Sequence, residues 1–131
     1  MLVNELKLLG APIPAARPRV KRNGFTFDPK AKEKSVAKKL VINQWNREPL
    51  KEPLSVDILF EMPIPKSISK KKRAQLIGQP HVIKPDCDNL AKFVLDVMND
   101  VIYSDDSCVY DLHVTKNYSA DPKTVIKIIK I

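Results

Sequence analysis

Two cysteines, three glycines and one tryptophan are few for 131 residues, and each shortage closes a possibility. Cys87 and Cys108 cannot build the disulfide framework of a small secreted domain, so a reducing cytosol is the expected compartment. Three glycines leave no Gly-rich phosphate loop, and beside eleven prolines they imply stiff connections and little low-complexity sequence. There is no paired-cysteine zinc pattern. His81 and His113 are too few and too far apart to form a metal-ligand set, and His113 is expected on the exposed side of its strand. No run approaches the ~20 apolar residues that span a bilayer, and the N-terminus lacks the apolar block of a signal peptide. These absences point to a cytoplasmic protein with no membrane partner.

Hydrophobic residues make up 44% of the chain and charged residues 29%. That is ordinary globular composition, enough for one domain over residues 1–131 with a modest core. The formal charge is +8 and the pI near 9.5, which favours nucleic acid or another anionic partner. The two signs are segregated. Residues 84–111 carry seven aspartates against two lysines, a local −5 that leaves the other 103 residues at +13. Acids gathered inside a basic chain suit the holding of divalent cations against a polyanion.

Leu2 to Leu9 reads as a strand, followed by the stiff run Gly10 to Pro14. Arg17 to Arg22, Asn23-Gly24 and Phe25 to Phe27 read as a hairpin, with Asn-Gly suited to a type I′ turn. Asp28 as N-cap and Pro29 as first helical residue start a helix expected to reach about Asn46. Its buried face is Ala37, Val41 and Trp45, with Leu40 beside them. Leu54, Val56, Ile58, Phe60 and Met62 alternate with polar residues in the clearest strand, which Pro63 and Pro65 end. Ser67 to Ile77 can form a short helix closed by Gly78. Asn89 to about Asn99 makes a second main helix with Leu90, Val94, Val97 and Met98 inward. Val101 to Tyr103 reads as a short strand, and Val109–Tyr118 with Thr124–Ile131 as a final hairpin turning near Ala120 to Pro122. The irregular order of strands and helices predicts an α+β fold: a small mixed sheet with two main helices packed on it.

Asp86 and Asp88 stand two apart behind Pro85, so extended backbone would aim both carboxylates one way. Asp88 is the expected N-cap of the second helix, and Asp88, Lys92 and Asp96 then form a stripe at i, i+4 and i+8. The loop carrying Asp105-Asp106 could bring one of its acids beside the first pair. Carboxylates with few neutral ligands suit Mg²⁺; such a site can activate water for phosphodiester hydrolysis, while a nearby lysine stabilises developing negative charge. An EF-hand does not fit: counting from Asp86, Leu90, Ala91 and Val97 stand where an oxygen ligand, the glycine and the final glutamate belong. Cys87, flanked by acids, is a poor nucleophile.

Lys84-Pro-Asp-x-Asp-Asn-Leu-x-Lys92, Asp96, Tyr103-Ser-Asp-Asp106 and Lys116 resemble the RusA-type endodeoxyribonucleases, the Holliday junction resolvases of phages and prophages. The likeness extends more loosely to Gly10-x-Pro-x-Pro, Arg17-Pro-Arg and Asn23 to Asp28. It implies a homodimeric nuclease that uses Mg²⁺, with Mn²⁺ as possible substitute, and cuts branched DNA by paired nicks. By position, Asp86, Asp88 and Asp106 would be the catalytic, metal-binding acids, Asp105 a less certain neighbour, and Lys92 the basic residue needed for cleavage. Arg17, Arg19, Lys21, Arg22, Lys70, Lys71, Lys72 and Arg73 would wall a trough and contact DNA phosphates, with Lys116 as a further basic position. The apolar strand Val125–Ile131 at the C-terminus calls for cover from the core or a partner. A nuclease for forks, flaps or single strands, and a non-catalytic DNA-binding module, are the rival readings.

Overall fold

A computed structural model describes residues 1–131. Strand β1 (Leu2–Leu9) leads to a two-stranded hairpin, β2 (Arg19–Val20) and β3 (Thr26–Phe27), and then to helix α1 (Ala31–Trp45). Strand β4 (Leu54–Met62), helices α2 (Lys70–Leu76) and α3 (Cys87–Met98), a 3₁₀ turn at Asp106–Cys108, and strands β5 (Val109–Tyr118) and β6 (Lys123–Lys130) follow. The main sheet has the order β1-β6-β4-β5, antiparallel except for the parallel β4–β5 pair. The α+β expectation, a mixed sheet with two main helices, holds.

Strand β4 organises the core because it is paired on both sides and every second residue is buried: Leu54, Val56, Ile58, Phe60 and Met62. With Leu6 and Leu8 of β1 and Ile126 and Ile128 of β6, these side chains meet Ala37, Val41 and Trp45 of α1 and the apolar face of α3 in one cluster. Each fully buried aliphatic or aromatic side chain contributes about 1.5–3 kcal/mol. Strand β6 is interior; the core covers Ile126 and Ile128, while Val125 and Ile129 on its other face are half-buried and Ile131 is exposed.

Several local expectations give way to tertiary geometry. The last two strands are not a hairpin, because β4 lies between them. Stepping over one strand crosses two spacings of about 4.8 Å, within reach of the linker Ser119–Pro122, and the Ser119 N–H anchors that step on the Met62 carbonyl at 2.9 Å. The Arg19–Phe27 hairpin exists, but only Gly24 has positive φ (+88°), so its turn is a three-residue loop with glycine in the left-handed position and not type I′. Asp28 closes a turn ahead of α1 by accepting from the Lys30 N–H at 2.8 Å, and the helix starts at Ala31. Leu40 is 43% exposed, leaving Ala37, Val41 and Trp45 as the buried stripe. Residues 101–103 form a turn with isolated bridges, Leu50 to Tyr103 and Asn99 to Tyr103, in place of a strand. Helix α3 starts at Cys87, two residues early, so Asp86 precedes it and Asp88 lies in its first turn. No helix is long and apolar enough to cross a membrane.

Candidate active site

The chain reaches Asp86 along the outer edge of β5. Gly78, with φ +82°, turns out of α2, and Gly78, Gln79 and His81 pair with Tyr118 and Lys116 through backbone hydrogen bonds of 2.8–3.0 Å. Residues 82–84 leave the edge exposed to solvent. On the other side, the Ala15 N–H donates to the Asn89 carbonyl at 2.9 Å and ties the N-terminal proline run to the first turn of α3. Between them lies a cleft of about 490 Å³, formed by the Ala11–Ala15 run, Met62 and Pro63 at the end of β4, and the Lys84–Asn89 turn with Asp86 in its wall. From this cleft the chain runs into basic sequence both ways: Arg17, Arg19, Lys21 and Arg22, all exposed, on one side, and the exposed Lys70, Lys71 and Lys72 of α2 on the other. Arg73 is turned inward, its guanidinium donating to the Pro65 carbonyl at 3.0 Å.

Asp86 and Asp88 are both exposed. The Asp86 side chain caps no N–H of α3, and its one ionic neighbour, Lys84, is 3.8 Å away. Both carboxylates stand where the helix dipole is positive, and one turn on, Lys92 is 66% exposed with Nζ 3.6 Å from Asp96. Asp96 has a closer partner in Lys34 of α1, at 2.9 Å, and Lys34 also meets Asp28 at 2.7 Å. The Lys34 ammonium and the Lys30 N–H hold the Asp28 carboxyl below the usual range. Burial pulls Lys34 down, but the two carboxylates outweigh it and its pKa is raised. Because Lys34 holds Asp96 more closely, Lys92 is only loosely held and faces solvent. Nothing local in the sequence marks this chain of charges, since Lys34 and Asp96 stand 62 residues apart.

Asp106 follows α3, at the start of a 3₁₀ turn that packs against that helix. Tyr103, completely buried, donates its hydroxyl to the Leu95 carbonyl at 2.7 Å. Burial, then the charges of Asp106, Asp96 and Asp105, push that hydroxyl far above its ordinary range. From Asp86 to Leu95 the helix rises roughly 13 Å. No group of three or more acidic, histidine or cysteine side chains in the chain lies close enough to hold a metal ion, so a single copy does not gather Asp86, Asp88 and Asp106. Asp105 caps the 3₁₀ turn: Ser107, through its hydroxyl and its N–H (3.0 Å), holds the Asp105 carboxyl below the usual range. Asp106 is the exposed acid with no such capping duty. As donors, Asp86, Asp88 and Asp106 are hard, solvent-facing oxygens, the chemistry Mg²⁺ or Mn²⁺ prefers.

Lys116 does not face outward. Its ammonium donates to the carbonyls of Ile83 at 2.8 Å and Pro85 at 2.7 Å, next to Asp86. His113 is exposed, 3.1 Å from Asp111, and remote from any ligand set.

A sequence model of the family described as endodeoxyribonuclease RusA matches residues 10–129. The chain is also 38% identical over 128 residues to the uncharacterized protein YqaN of Bacillus subtilis (strain 168), with 91% of this chain and 90% of that protein covered. A match over nearly the whole chain, on a fold that exposes the Asp86, Asp88 and Lys92 motif at the start of one helix, settles the assignment: this protein belongs to the RusA endodeoxyribonuclease family.

Proposed function

We propose that this protein is a cytoplasmic, homodimeric nuclease that depends on Mg²⁺ or Mn²⁺ and resolves four-way DNA junctions by paired nicks. The observation that carries the reading is the exposed face of α3, with Asp88 and Lys92 one turn apart next to a cleft walled by Asp86 and Asn89, whose lining segments continue along the chain into exposed basic residues. Arg17, Arg19, Lys21, Arg22 and Lys70–Lys72 would take backbone phosphates, giving salt-sensitive affinity with little base preference.

Asp86, Asp88 and Asp106 would hold the metal, which when bound supplies Lewis acidity and an activated water. Lys92, facing solvent, would neutralise charge on the phosphoryl group as it develops. Asp96 keeps that lysine close to the helix, and the tighter hold of Lys34 on the same carboxylate leaves it exposed. Since no three acids of one chain lie close enough to hold a metal, the reading takes Asp106 from a second copy. The part of the β5 edge that residues 78–81 leave uncovered, where Tyr110 and Leu112 are exposed, is surface that a second copy can cover. A two-fold dimer also supplies two active sites at fixed spacing, as opposed nicks in a symmetric junction demand.

Asp88→Asn tests the reading. Cleavage of a four-way junction should fall by at least about a thousandfold, roughly 4 kcal/mol of barrier, while junction binding stays equal or tightens as one repulsive charge is lost. Gel-shift and nicking assays on junction, fork and linear duplex under one set of conditions measure both. Joint loss of binding and cutting, or preferential cutting of forks, would count against it.

A further inference from the structure

We infer that Lys116 is a positioning residue for the metal ligand Asp86, not a DNA contact; this rests on the metal-dependent reading above. Two exposed residues, Val82 (83%) and Ile83 (55%), show how little apolar burial fixes the segment that delivers Asp86. Its upstream anchor is the edge of β5: the His81 N–H donates to the Lys116 carbonyl at 3.0 Å, and the buried His81 ring lies 4.8 Å from that of Tyr118. Its downstream anchor is α3. The span between is held by the Lys116 ammonium, which bonds Ile83 and Pro85 at once.

Lys116 therefore grips the segment twice, by its own carbonyl at His81 and by its side chain at Ile83 and Pro85. A lysine carries three donors and no acceptor, and here two of them go to carbonyls, with no carboxylate partner. A cation fixed this way turns the Pro85 carbonyl inward and sets the direction in which Asp86 leaves the chain. Outer-shell groups of this kind typically govern metal affinity by roughly 10–100-fold when removed.

The test is Lys116→Met beside Lys116→Arg, measured for cleavage against Mg²⁺ concentration and for junction binding without metal over a range of salt. Lys116→Met should raise the Mg²⁺ needed for half-maximal cutting by about tenfold or more. Its metal-free junction affinity and salt slope should match the parent's. Lys116→Arg, which keeps charge and donors, should recover most of the Mg²⁺ response. Should Lys116→Met fail to fold, Lys116→Gln, which removes the charge and shortens the side chain while keeping amide N–H donors, reports the same split. An unchanged Mg²⁺ requirement with weaker binding and a salt slope reduced by about 0.9 would make Lys116 a phosphate contact and overturn the inference. A parent protein that cuts no DNA with any divalent ion would instead sink the nuclease reading, and the role of Lys116 with it.

Discussion

His81 shows how a single residue ties stability to pH beside the site. Its ring is buried against Tyr118, and Nδ1 has no hydrogen-bond partner. Burial, and then the nearby Lys116 charge, hold its pKa below the ordinary value of 6.5. The folded state therefore binds fewer protons than the unfolded one below pH 6.5. The contribution of neutral His81 is complete above that pH and is lost as pH falls toward the depressed folded value. His81→Phe keeps an aromatic ring against Tyr118 and removes the titration. Urea unfolding at pH 7.5 and 5.5 should show a smaller stability loss for the variant than for the parent; equal losses would mean that His81 is not held neutral.

At the scale of elements, α3 and β4 explain what the sequence reveals and what it hides. The alternation in Leu54 to Met62 and the apolar positions of α3 name the core correctly, because a face buried by one's own neighbours leaves a local period. Pairing across the sheet leaves none. Val109–Tyr118 and Lys123–Lys130, joined by a short turn, read the same whether adjacent or separated by β4. The start of α3 differs from expectation for a related reason: Asp88 has the chemistry of a cap, but the backbone turns helical at Cys87, and the two carboxylates are set by a helix start instead of by strand alternation. The candidate acids and Lys92 stand out in the sequence by residue type, while the failure of one chain to bring three acids together does not. Neither does the inward use of Arg73 and Lys116, since charge alone does not say whether a cation meets a carbonyl or solvent. Within α2 the difference has a consequence. Replacing Lys70, Lys71 and Lys72 together by glutamine should weaken junction binding and lower the salt slope by up to about 0.9 for every phosphate left without its lysine, with no change in Mg²⁺ requirement. An unaltered salt slope would remove α2 from the DNA path.

For the whole molecule, the separation of the acids is the fact around which the functional account turns. A four-way junction is two-fold symmetric, and on the proposed function a chain in which no three acids lie close enough to hold a metal would complete a ligand set through symmetry. A dimer built so would keep each half-site inactive until paired, and would link cutting to assembly. The most direct measurement mixes two single variants, Asp88→Asn and Asp106→Asn, under conditions that let subunits exchange, and follows nicking of a junction labelled on each strand. Alone, each variant should be inactive. Mixed, the heterodimer has one site with both lesions and one with neither, so single-strand nicking should return to a substantial fraction of parental activity. A mixture as dead as its parents, or an Asp106→Asn protein that cuts normally by itself, would contradict the account.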